Sequence, residues 1–270
     1  MWALTTSYPF MPQKIYKRKI YDSILRWKQE RNGSTALLIK GARRVGKSTI
    51  AKEFAKNEYK SFISIDFAKA SDAVKGLFDN IDNMDYLFLQ LQALYHVTLH
   101  ERNSVLIFDE IQLCPKARQA IKYLVEDGRY DYIETGSLLS IRKNNEGILI
   151  PSEETRITMY PLDYEEFLMA IGETNTINLI KYSYDNLKPL GDAVNREMMR
   201  LFRLYMLVGG MPQAVNTYLD TNNLATTDAV KREIIELYLD DLRKIDSTGK
   251  ASRLFESIPG QLATSKLRFE

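Results

Sequence analysis

Residues 39–49 read IKGARRVGKST, and this stretch decides the fold of the chain. Two glycines, Gly41 and Gly46, are separated by four residues and followed directly by a lysine and a hydroxyl residue. In this spacing the glycines let the backbone turn tightly so that successive N–H groups face phosphate oxygens, and the next helix adds the positive end of its dipole. The stretch therefore predicts a loop that joins a buried strand to a helix and binds a polyphosphate.

The predicted phosphate loop assigns a role to several of its side chains. We expect Lys47 to reach the outer phosphates and take part in catalysis, and Ser48 to ligate magnesium through its hydroxyl. The motif thus indicates a nucleoside triphosphate bound with Mg²⁺. An ordinary glycine turn before a helix is the structural alternative. The predicted nucleotide-binding residues are Gly41, Ala42, Arg43, Arg44, Val45, Gly46, Lys47, Ser48 and Thr49.

A second motif further along the chain disfavours that alternative. Residues 105–110 read VLIFDE, an apolar run that delivers two adjacent carboxylates. We expect Asp109 to hold the metal beside Ser48, and Glu110 to orient or deprotonate the water that attacks the terminal phosphate. An apolar run ending in Asp-Glu is by itself often only a strand meeting a loop. Its position after a phosphate loop favours the metal and base roles.

The end of the next predicted strand supplies further candidates. Thr135, with Ser137 second, is expected to contact the terminal phosphate or the attacking water, and a plain Thr-Gly-Ser turn is an equal alternative. The charge on the transferred phosphoryl group also calls for a cation, commonly an arginine from outside the pocket. Arg156 and Arg142 are the candidates for this role, against the commoner surface role for either one.

Strand and helix patterns alternate around these motifs. Predicted strands cover 35–40, 61–66, 105–108, 130–135 and 156–160, and predicted helices cover 47–56, 84–100 and 117–126. Residues 140–154 are polar and predict an exposed loop. The alternation predicts an α/β fold of the P-loop NTPase kind, a parallel sheet sandwiched by helices.

Beyond residue 161 the strand pattern does not return, and helical patterns cover 164–171, 195–208, 212–219 and 229–244. Gly209 and Gly210 are the predicted hinge of these helices. The predicted domains are a basic N-terminal helix packed on the core (1–31), a P-loop domain (32–162), a helical lid (163–225) and a C-terminal helical region that begins a second domain (226–270).

Composition and charge limit the classes of partner. The 270 residues carry 37 basic and 35 acidic side chains, so a net charge of +2 provides no strong field toward nucleic acid or membrane. The basic residues 17–19 are a minor candidate for phosphate contact, against a solvated helical face. The sequence has neither a signal peptide nor a long apolar run, which indicates a cytoplasmic protein without membrane contact.

Two residue types that often carry chemistry receive no functional role. His96 and His100 have the spacing of one helical face, but Val97 stands where a metalloprotease has glutamate, and a zinc site is rejected. Cys114, the single cysteine, follows an apolar run and is interpreted as a small hydrophobic residue.

The chain resembles the prokaryotic AAA-type P-loop ATPases in which the ATPase domain is followed by a C-terminal domain of unknown function, taken to be nuclease-like. The resemblance rests on KIYDSILRWK (19–28), IKGARRVGKST (39–49), VLIFDEIQLCPKARQAIKYL (105–124), DYIETGSLLSI (131–141), MYPLDYEEFL (159–168) and YMLVGGMPQAV (205–215). It implies ATP as the nucleotide, Pro212 near the adenine, a helical lid and the start of a winged-helix-like region. Relatives continue past the position of Glu270, which implies a truncated second domain here.

Two functional hypotheses follow from these observations. In the first, the chain hydrolyses ATP with magnesium and couples the nucleotide state to lid movement and a partner. In the alternative, it is a non-hydrolysing, nucleotide-controlled binding switch that contacts DNA. A GTPase is disfavoured because no Asn-Lys-x-Asp segment is present. Expected partners are ATP or ADP, a second copy in a homo-oligomer, and an unidentified protein or nucleic acid.

Overall fold

The computed structural model describes residues 14–79, 81–137 and 153–263. Its strands are β1 (Ala36–Gly41), β2 (Ser61–Asp66), β3 (Ser104–Asp109), β4 (Asp131–Ser137) and β5 (Glu154–Met159). They form one parallel sheet in the order β2-β3-β4-β1-β5. The predicted α/β class is confirmed, and each predicted strand end lies within two residues of the observed one.

Helices cover both faces of this sheet. They are α1 (Ile20–Arg31), α2 (Lys47–Glu58), α3 (Asp72–Gly76), α4 (Met84–Tyr95) and α5 (Pro115–Asp127). Alternate residues of β1 enter different cores: Leu37 packs with α1 and α2, whereas Leu38 packs with α4 and α5. Because both faces are buried, β3 and β4 are buried along their whole length.

The strand order fixes where the chemistry lies. Gly41 pairs with Ser137 of β4 and with Met159 of β5, and Asp109 ends the strand on the other side of β4. The carboxyl ends of β1, β3 and β4 therefore meet at one edge of the sheet. Ligands of open parallel sheets bind at this edge.

The N-terminal helix is shorter than the basic stretch predicted. Helix α1 begins at Ile20 and ends before Asn32, which has a left-handed backbone (φ 43°). The predicted solvated face of residues 17–19 is wrong for Arg18, whereas Lys17 and Lys19 are exposed as predicted. Arg18 is buried, and Lys19 pairs with Asp163 and Glu165. Both side chains form ion pairs within the protein, since Arg18 lies beside Glu166.

The histidine pair does not share a helical face. Helix α4 ends at Tyr95, five residues earlier than predicted, because His96 takes a left-handed backbone (φ 52°) and ends the helix. His100 lies beyond it in a non-helical segment. Within the ranges that the structure describes, no group of three His, Cys, Asp or Glu side chains is arranged to hold a metal ion.

The residues after β5 form the predicted succession of helices. These are α6 (Tyr164–Ala170), α7 (Thr174–Asp185), α8 (Asp192–Val208), α9 (Pro212–Thr221), α10 (Leu224–Ile245) and α11 (Lys250–Leu262). They enclose apolar clusters separate from those of the sheet. None of the helices in the described ranges combines the length and the apolar character that crossing a bilayer requires.

Three helices lie where no individual helix was predicted: α3, and within the regions predicted to be helical, α7 and α11. The proposed boundary between residues 225 and 226 falls inside the first turn of α10, which is unbroken. The part of 226–270 that is described is helical, and the winged-helix-like region stays a prediction. The predicted polar loop 140–154 lies mostly outside the described residues, except that its last residue, Glu154, begins β5.

Candidate functional site

The two glycines of the phosphate loop are needed for different reasons. Gly46, directly before α2, has a left-handed backbone (φ 98°). Arg44, two residues earlier in the loop, also has a left-handed backbone (φ 68°) although it is not a glycine. Gly41 does not turn in this way. A Cβ on Gly41 would lie 2.3 Å from the carbonyl oxygen of Met159, so glycine there permits the close approach of β5. The expectation that both glycines supply tight turns is corrected for Gly41.

Lys47 is held over the first half of the loop. Its side chain is buried, and Nζ donates hydrogen bonds to the carbonyl oxygens of Gly41 (3.2 Å) and Ala42 (2.9 Å). Burial lowers the pKa of its amine, and the nearby carboxylates of Glu110 and Asp109 raise it in part. An arriving anion would favour the charged form of this lysine.

Three predicted residues meet at the edge of the sheet. The hydroxyl of Ser48, at the start of α2, donates to Oδ1 of Asp109 at 2.7 Å. The hydroxyl of Thr135 donates to the same carboxylate oxygen. This set of hard oxygen donors next to a phosphate loop fits magnesium, which is held by one or two protein oxygens together with phosphate oxygens.

Thr135 contacts the carboxylate of Asp109 and accepts a hydrogen bond from the backbone N–H of Glu110 (3.3 Å). Its side chain is fully buried. In this arrangement Thr135 orients the end of β3. The predicted contact with the terminal phosphate or the attacking water stays a prediction.

Glu110 has a left-handed backbone (φ 54°), which is uncommon for a residue other than glycine and occurs often at functional sites. Its carboxylate accepts a hydrogen bond from Nε2 of Gln112 at 2.5 Å. Gln112 was missed by the sequence analysis. The sequence feature that could have indicated Gln112 is its position two residues after the Asp-Glu pair. The segment is too short to show a helical or strand periodicity.

Arg156, one of the two arginines proposed as the transition-state cation, is not brought to the loop. Arg156 lies in β5 opposite Leu38, three residues before the strand position that meets Gly41. Its Nε pairs with Oε1 of Glu154 at 2.5 Å. Arg142 lies outside the described residues.

A pocket lies at the α2 end of the loop. It is lined by Gly46, Thr49, Ile50, Met159 and Pro212, together with residues 14–16 and Arg18. A Cβ on Gly46 would lie 3.9 Å from Cγ of Pro212. The lid residue that the family resemblance assigns to the adenine is therefore next to the phosphate loop.

Arg18 forms one wall of this pocket and joins three parts of the chain. Its guanidinium donates to the carbonyl oxygens of Val45 (3.0 Å) and Tyr160 (2.6 Å), and Nε lies 3.2 Å from Oε1 of Glu166 in α6. Glu166 is buried as well and completes the cap of its own helix with Asp163. The basic triplet 17–19 predicted a solvated position for Arg18, because such a triplet carries no mark of burial.

The opposite end of the loop is covered by α10. Arg43 pairs with Asp241 at 3.0 Å, and the hydroxyl of Tyr238 donates to the carbonyl oxygen of Arg43 at 2.8 Å. Arg44 is held by Gln213 of α9 at 2.7 Å. Apart from the placement of Pro212 near the adenine, these contacts were not predicted, since the paired residues are far apart in the chain.

A family model described as an AAA domain matches residues 33–168, and one described as a domain of unknown function (DUF8612) matches residues 199–270. No curated protein matches the chain. These matches confirm the resemblance to AAA-type proteins with a C-terminal domain of unknown function. The prokaryotic origin and the nuclease-like character stay predictions.

Solved structures match the chain at low identity and with TM-scores under 0.5. PCH-2 of C. elegans is 14% identical with a TM-score of 0.45, over 82% of this chain and 70% of that one. ORC1 of Aeropyrum pernix in complex with DNA is 12% identical with a TM-score of 0.42, over 95% and 81%. Pif1 helicase from Candida albicans is 16% identical with a TM-score of 0.34, over 69% and 48%. Scores of this size indicate no shared function.

The family match gives the fold and the site a common explanation. The AAA domain covers half of the chain and includes the phosphate loop, the Asp-Glu pair and all five strands. The C-terminal match begins inside α8 and includes the helices that cover the loop. The chain therefore belongs to the AAA domain family, a family of nucleotide-binding, ATPase-type domains.

Proposed function

We propose that this chain binds ATP with magnesium on residues 41–49 and hydrolyses it to ADP and phosphate. One observation carries the proposal: the amine of Lys47, the hydroxyl of Ser48 and the carboxylate of Asp109 converge at the carboxyl edge of the sheet. A loop amine beside a hydroxyl and carboxylate pair suits a polyphosphate and its metal.

The two ends of the loop support one direction for the nucleotide. The amine of Lys47 lies over Gly41 and Ala42, so the outer phosphates belong at that end. The pocket lined by Gly46, Thr49 and Pro212 lies at the other end, where the base belongs. The proposed role of Pro212 beside the adenine follows from this direction.

The residues of the chain divide the work of hydrolysis. Lys47 would bind outer phosphate oxygens, and Ser48 and Asp109 would hold the metal, with Asp109 oriented by Thr135. When bound, magnesium offsets negative charge on the phosphate oxygens. Glu110 takes a proton from water, whose oxygen bonds to the terminal phosphorus. The bond from that phosphorus to the bridging oxygen breaks, and ADP leaves with its electron pair.

Lid movement is part of the proposal. Arg18 connects the loop carbonyl of Val45 to Glu166 of the lid, and Gly46 lies close to Pro212. A nucleotide bound on the loop beside this pocket would contact both the P-loop domain and the lid. Its binding and release would therefore change the position of α6 and α9.

The second candidate is a switch that binds nucleotide and hydrolyses almost none. The contact of Gln112 with the carboxylate of Glu110 favours it, because a carboxylate that already accepts a hydrogen bond is a weaker base. Turnover decides between the two candidates.

The test compares ATP turnover of the wild type with that of Glu110→Gln, using Glu101→Gln on an exposed loop as the matched control. We expect Glu110→Gln to lower turnover by roughly 100-fold or more, since a general base contributes about 100- to 10,000-fold. Lys47→Ala should weaken ATP binding severely because the outer phosphates lose their cation. Equal turnover in wild type and Glu110→Gln would contradict the proposed hydrolysis. Unchanged ATP affinity in Lys47→Ala would contradict the proposed nucleotide site.

A further inference from the structure

Helix α10 is attached to the first half of the phosphate loop. Nη1 of Arg43 lies 3.0 Å from Oδ1 and 3.2 Å from Oδ2 of Asp241, and Tyr238 donates to the Arg43 carbonyl oxygen. The ring of Tyr238 packs edge-on against Phe255 of α11, with 6.2 Å between ring centroids. Through these contacts both C-terminal helices are anchored on one loop residue.

The anchored helices cover the end of the loop that takes the outer phosphates. A cavity there is lined by Ala42, Arg43 and Ser137 from the P-loop domain, and by Tyr238, Asp241, Leu242 and Phe255 from the C-terminal helices. The amine of Lys47 lies on Ala42 at the same end. The cavity is therefore next to the position proposed for the terminal phosphate and not to the position of the base.

Asp241 brings a negative charge to this end. A terminal phosphate there is negative as well, and like charges at close range repel. Arg43 is the loop cation that pairs with Asp241, which also lies 3.5 Å from Lys244 of its own helix. The charge of Arg43 acts within the site as well: besides burial, the Arg43 guanidinium lowers the pKa of the Lys47 amine. Guanidinium binds carboxylate and phosphate with the same planar set of donors.

We propose that Arg43 exchanges Asp241 for the terminal phosphate when a nucleoside triphosphate binds, so that ATP, but not ADP, loosens α10 and α11 from the loop. This rests on the proposed function, because it needs a nucleotide on residues 41–49. In this proposal, the region that matches a domain of unknown function responds to the third phosphate of the nucleotide.

Thermodynamic linkage makes the exchange measurable from either side. If ATP weakens the contact between Arg43 and Asp241, then weakening that contact must tighten ATP binding by the same factor. The pair is partly exposed, with side chains 44% and 17% accessible. A pair of this kind contributes up to about 1 kcal/mol, which corresponds to a factor of roughly five in affinity.

The experiment measures affinities of the whole chain by calorimetry, with magnesium, for ADP and for a β,γ-imido analogue of ATP that is not hydrolysed. Asp241→Asn is the test variant. Asp240→Asn is the matched control, because Asp240 is the neighbouring residue on α10 and pairs with Arg243 of the same helix at 3.0 Å. We expect Asp241→Asn to bind the analogue roughly fivefold more tightly and ADP within about twofold of wild type.

Two further measurements test the exchange directly. Amide hydrogen exchange in 224–262 should speed up with the analogue and stay unchanged with ADP. Arg43→Ala should lose most of the difference in affinity between the analogue and ADP. Equal analogue affinities in Asp241→Asn and Asp240→Asn, with unchanged amide exchange, would overturn the inference while leaving the nucleotide site intact. A wild type that binds neither nucleotide would instead overturn the proposed function, and this inference with it.

Discussion

At the scale of single residues, Arg18 has the widest set of contacts described for the site. It joins the phosphate loop at Val45, the end of β5 at Tyr160 and the lid at Glu166, and both members of its ion pair are 6% exposed. Removing one member of a buried pair leaves the other charge without a partner, which is more destabilising than losing a pair on the surface.

We expect Arg18→Ala to lower the free energy of unfolding by about 3–5 kcal/mol, because the buried Glu166 loses its ion-pair partner. Lys19→Ala is the control from the next position, where the side chain is about half exposed and pairs with Asp163 and Glu165. It should lower the free energy by at most about 1 kcal/mol. Chemical denaturation of both variants checks this, and equal losses would show that Arg18 is an ordinary surface cation.

The sequence predicted the residues that belong to recognisable motifs, but not the residues that contact and position them. Asp109 and Ser48 are brought together as expected, because a fixed spacing between glycines, lysine and hydroxyl leaves few arrangements. Gln112, Tyr238 and Asp241 carry no such pattern. Their contacts depend on how distant elements pack, which single-residue chemistry does not encode. The assigned roles of Glu110, Thr135, Pro212 and Arg156 stay predictions.

At the scale of elements, the joint between β5 and the lid is tight where a hinge was expected. Gly209 has a left-handed backbone (φ 80°), which fits the predicted turn. Gly210, however, accepts a hydrogen bond from the N–H of Leu162 (2.7 Å), and a Cβ on it would lie 2.1 Å from the Leu162 carbonyl oxygen. In this structure Gly210 fastens the start of α9 to the chain that leaves the sheet.

Gly210→Ala should therefore be destabilising, since the backbone of Leu162 or of the lid has to move to admit a methyl group. We expect a loss of roughly 2 kcal/mol or more in the free energy of unfolding. Gly76→Ala is the matched control, because a Cβ there meets nothing within 4 Å and the φ is ordinary. It should change the free energy by less than about 1 kcal/mol. If both variants unfold alike, the joint is as free as the hinge hypothesis requires.

Helix α5 is connected to the sheet through buried charge. Arg118 pairs with Glu154 at 2.8 Å and more weakly with Glu134 at 3.5 Å, and all three side chains are at most 2% exposed. Burial, followed by the neighbouring Glu154 carboxylate, raises the pKa of Glu134 above its ordinary value of 4.5. In the folded chain this acid therefore keeps its proton to a higher pH than in the unfolded chain.

Because the pKa of Glu134 is higher in the folded chain than in the unfolded chain, the stability of the fold depends on pH. The contribution of Glu134 to the free energy of unfolding is fully present below the unfolded pKa and is lost as the pH rises through the folded pKa. We expect the wild type to lose stability relative to Glu134→Gln as the pH rises above 4.5, by up to about 1.4 kcal/mol per pH unit. Denaturation curves at several pH values measure the gap. The control Glu126→Gln, on the exposed face of α5, should show a much smaller change. A gap for Glu134→Gln that does not vary with pH would contradict the assignment.

Elements were predictable to the extent that their sequences are periodic. The apolar strands β1 and β3 were found almost to the residue, because a run buried on both faces cannot be mistaken for a solvated loop. Helix α11 was missed because Pro259 and Gly260 lie inside it, and both residues disfavour helix. Tertiary packing decides such cases, and here α11 packs on α10.

At the scale of the whole molecule, the cation for hydrolysis is proposed to come from a second copy. Arg156 lies on β5, the edge strand of the described sheet, and is 44% exposed, whereas it does not reach the loop of its own chain. An arginine donated between subunits contributes at least about 1,000-fold to turnover in related chemistry. The predicted homo-oligomer and the predicted role of Arg156 are therefore one hypothesis, in which a second copy supplies the arginine.

We expect turnover per chain to rise with protein concentration and Arg156→Ala to lower it on the order of 1,000-fold. Mixing Arg156→Ala with Lys47→Ala should restore part of the activity, because the second variant supplies the arginine and the first supplies an intact loop. Adding DNA at each concentration tests nucleic acid as a partner. Turnover independent of concentration, with no recovery in the mixture, would exclude a shared site.

The position of β1 in the sheet also has a consequence for biosynthesis. Its Leu37 pairs with Ile133, 96 residues later, and its Ala36 with Glu154, 118 residues later. A ribosome adds about 5–20 residues each second, so the first partner strand is made roughly 5–20 s after β1. During that delay an apolar strand emerges with both edges unpaired, and pairing with another nascent chain competes with folding. Messages that stop before codon 159 should yield insoluble fragments instead of small nucleotide-binding proteins.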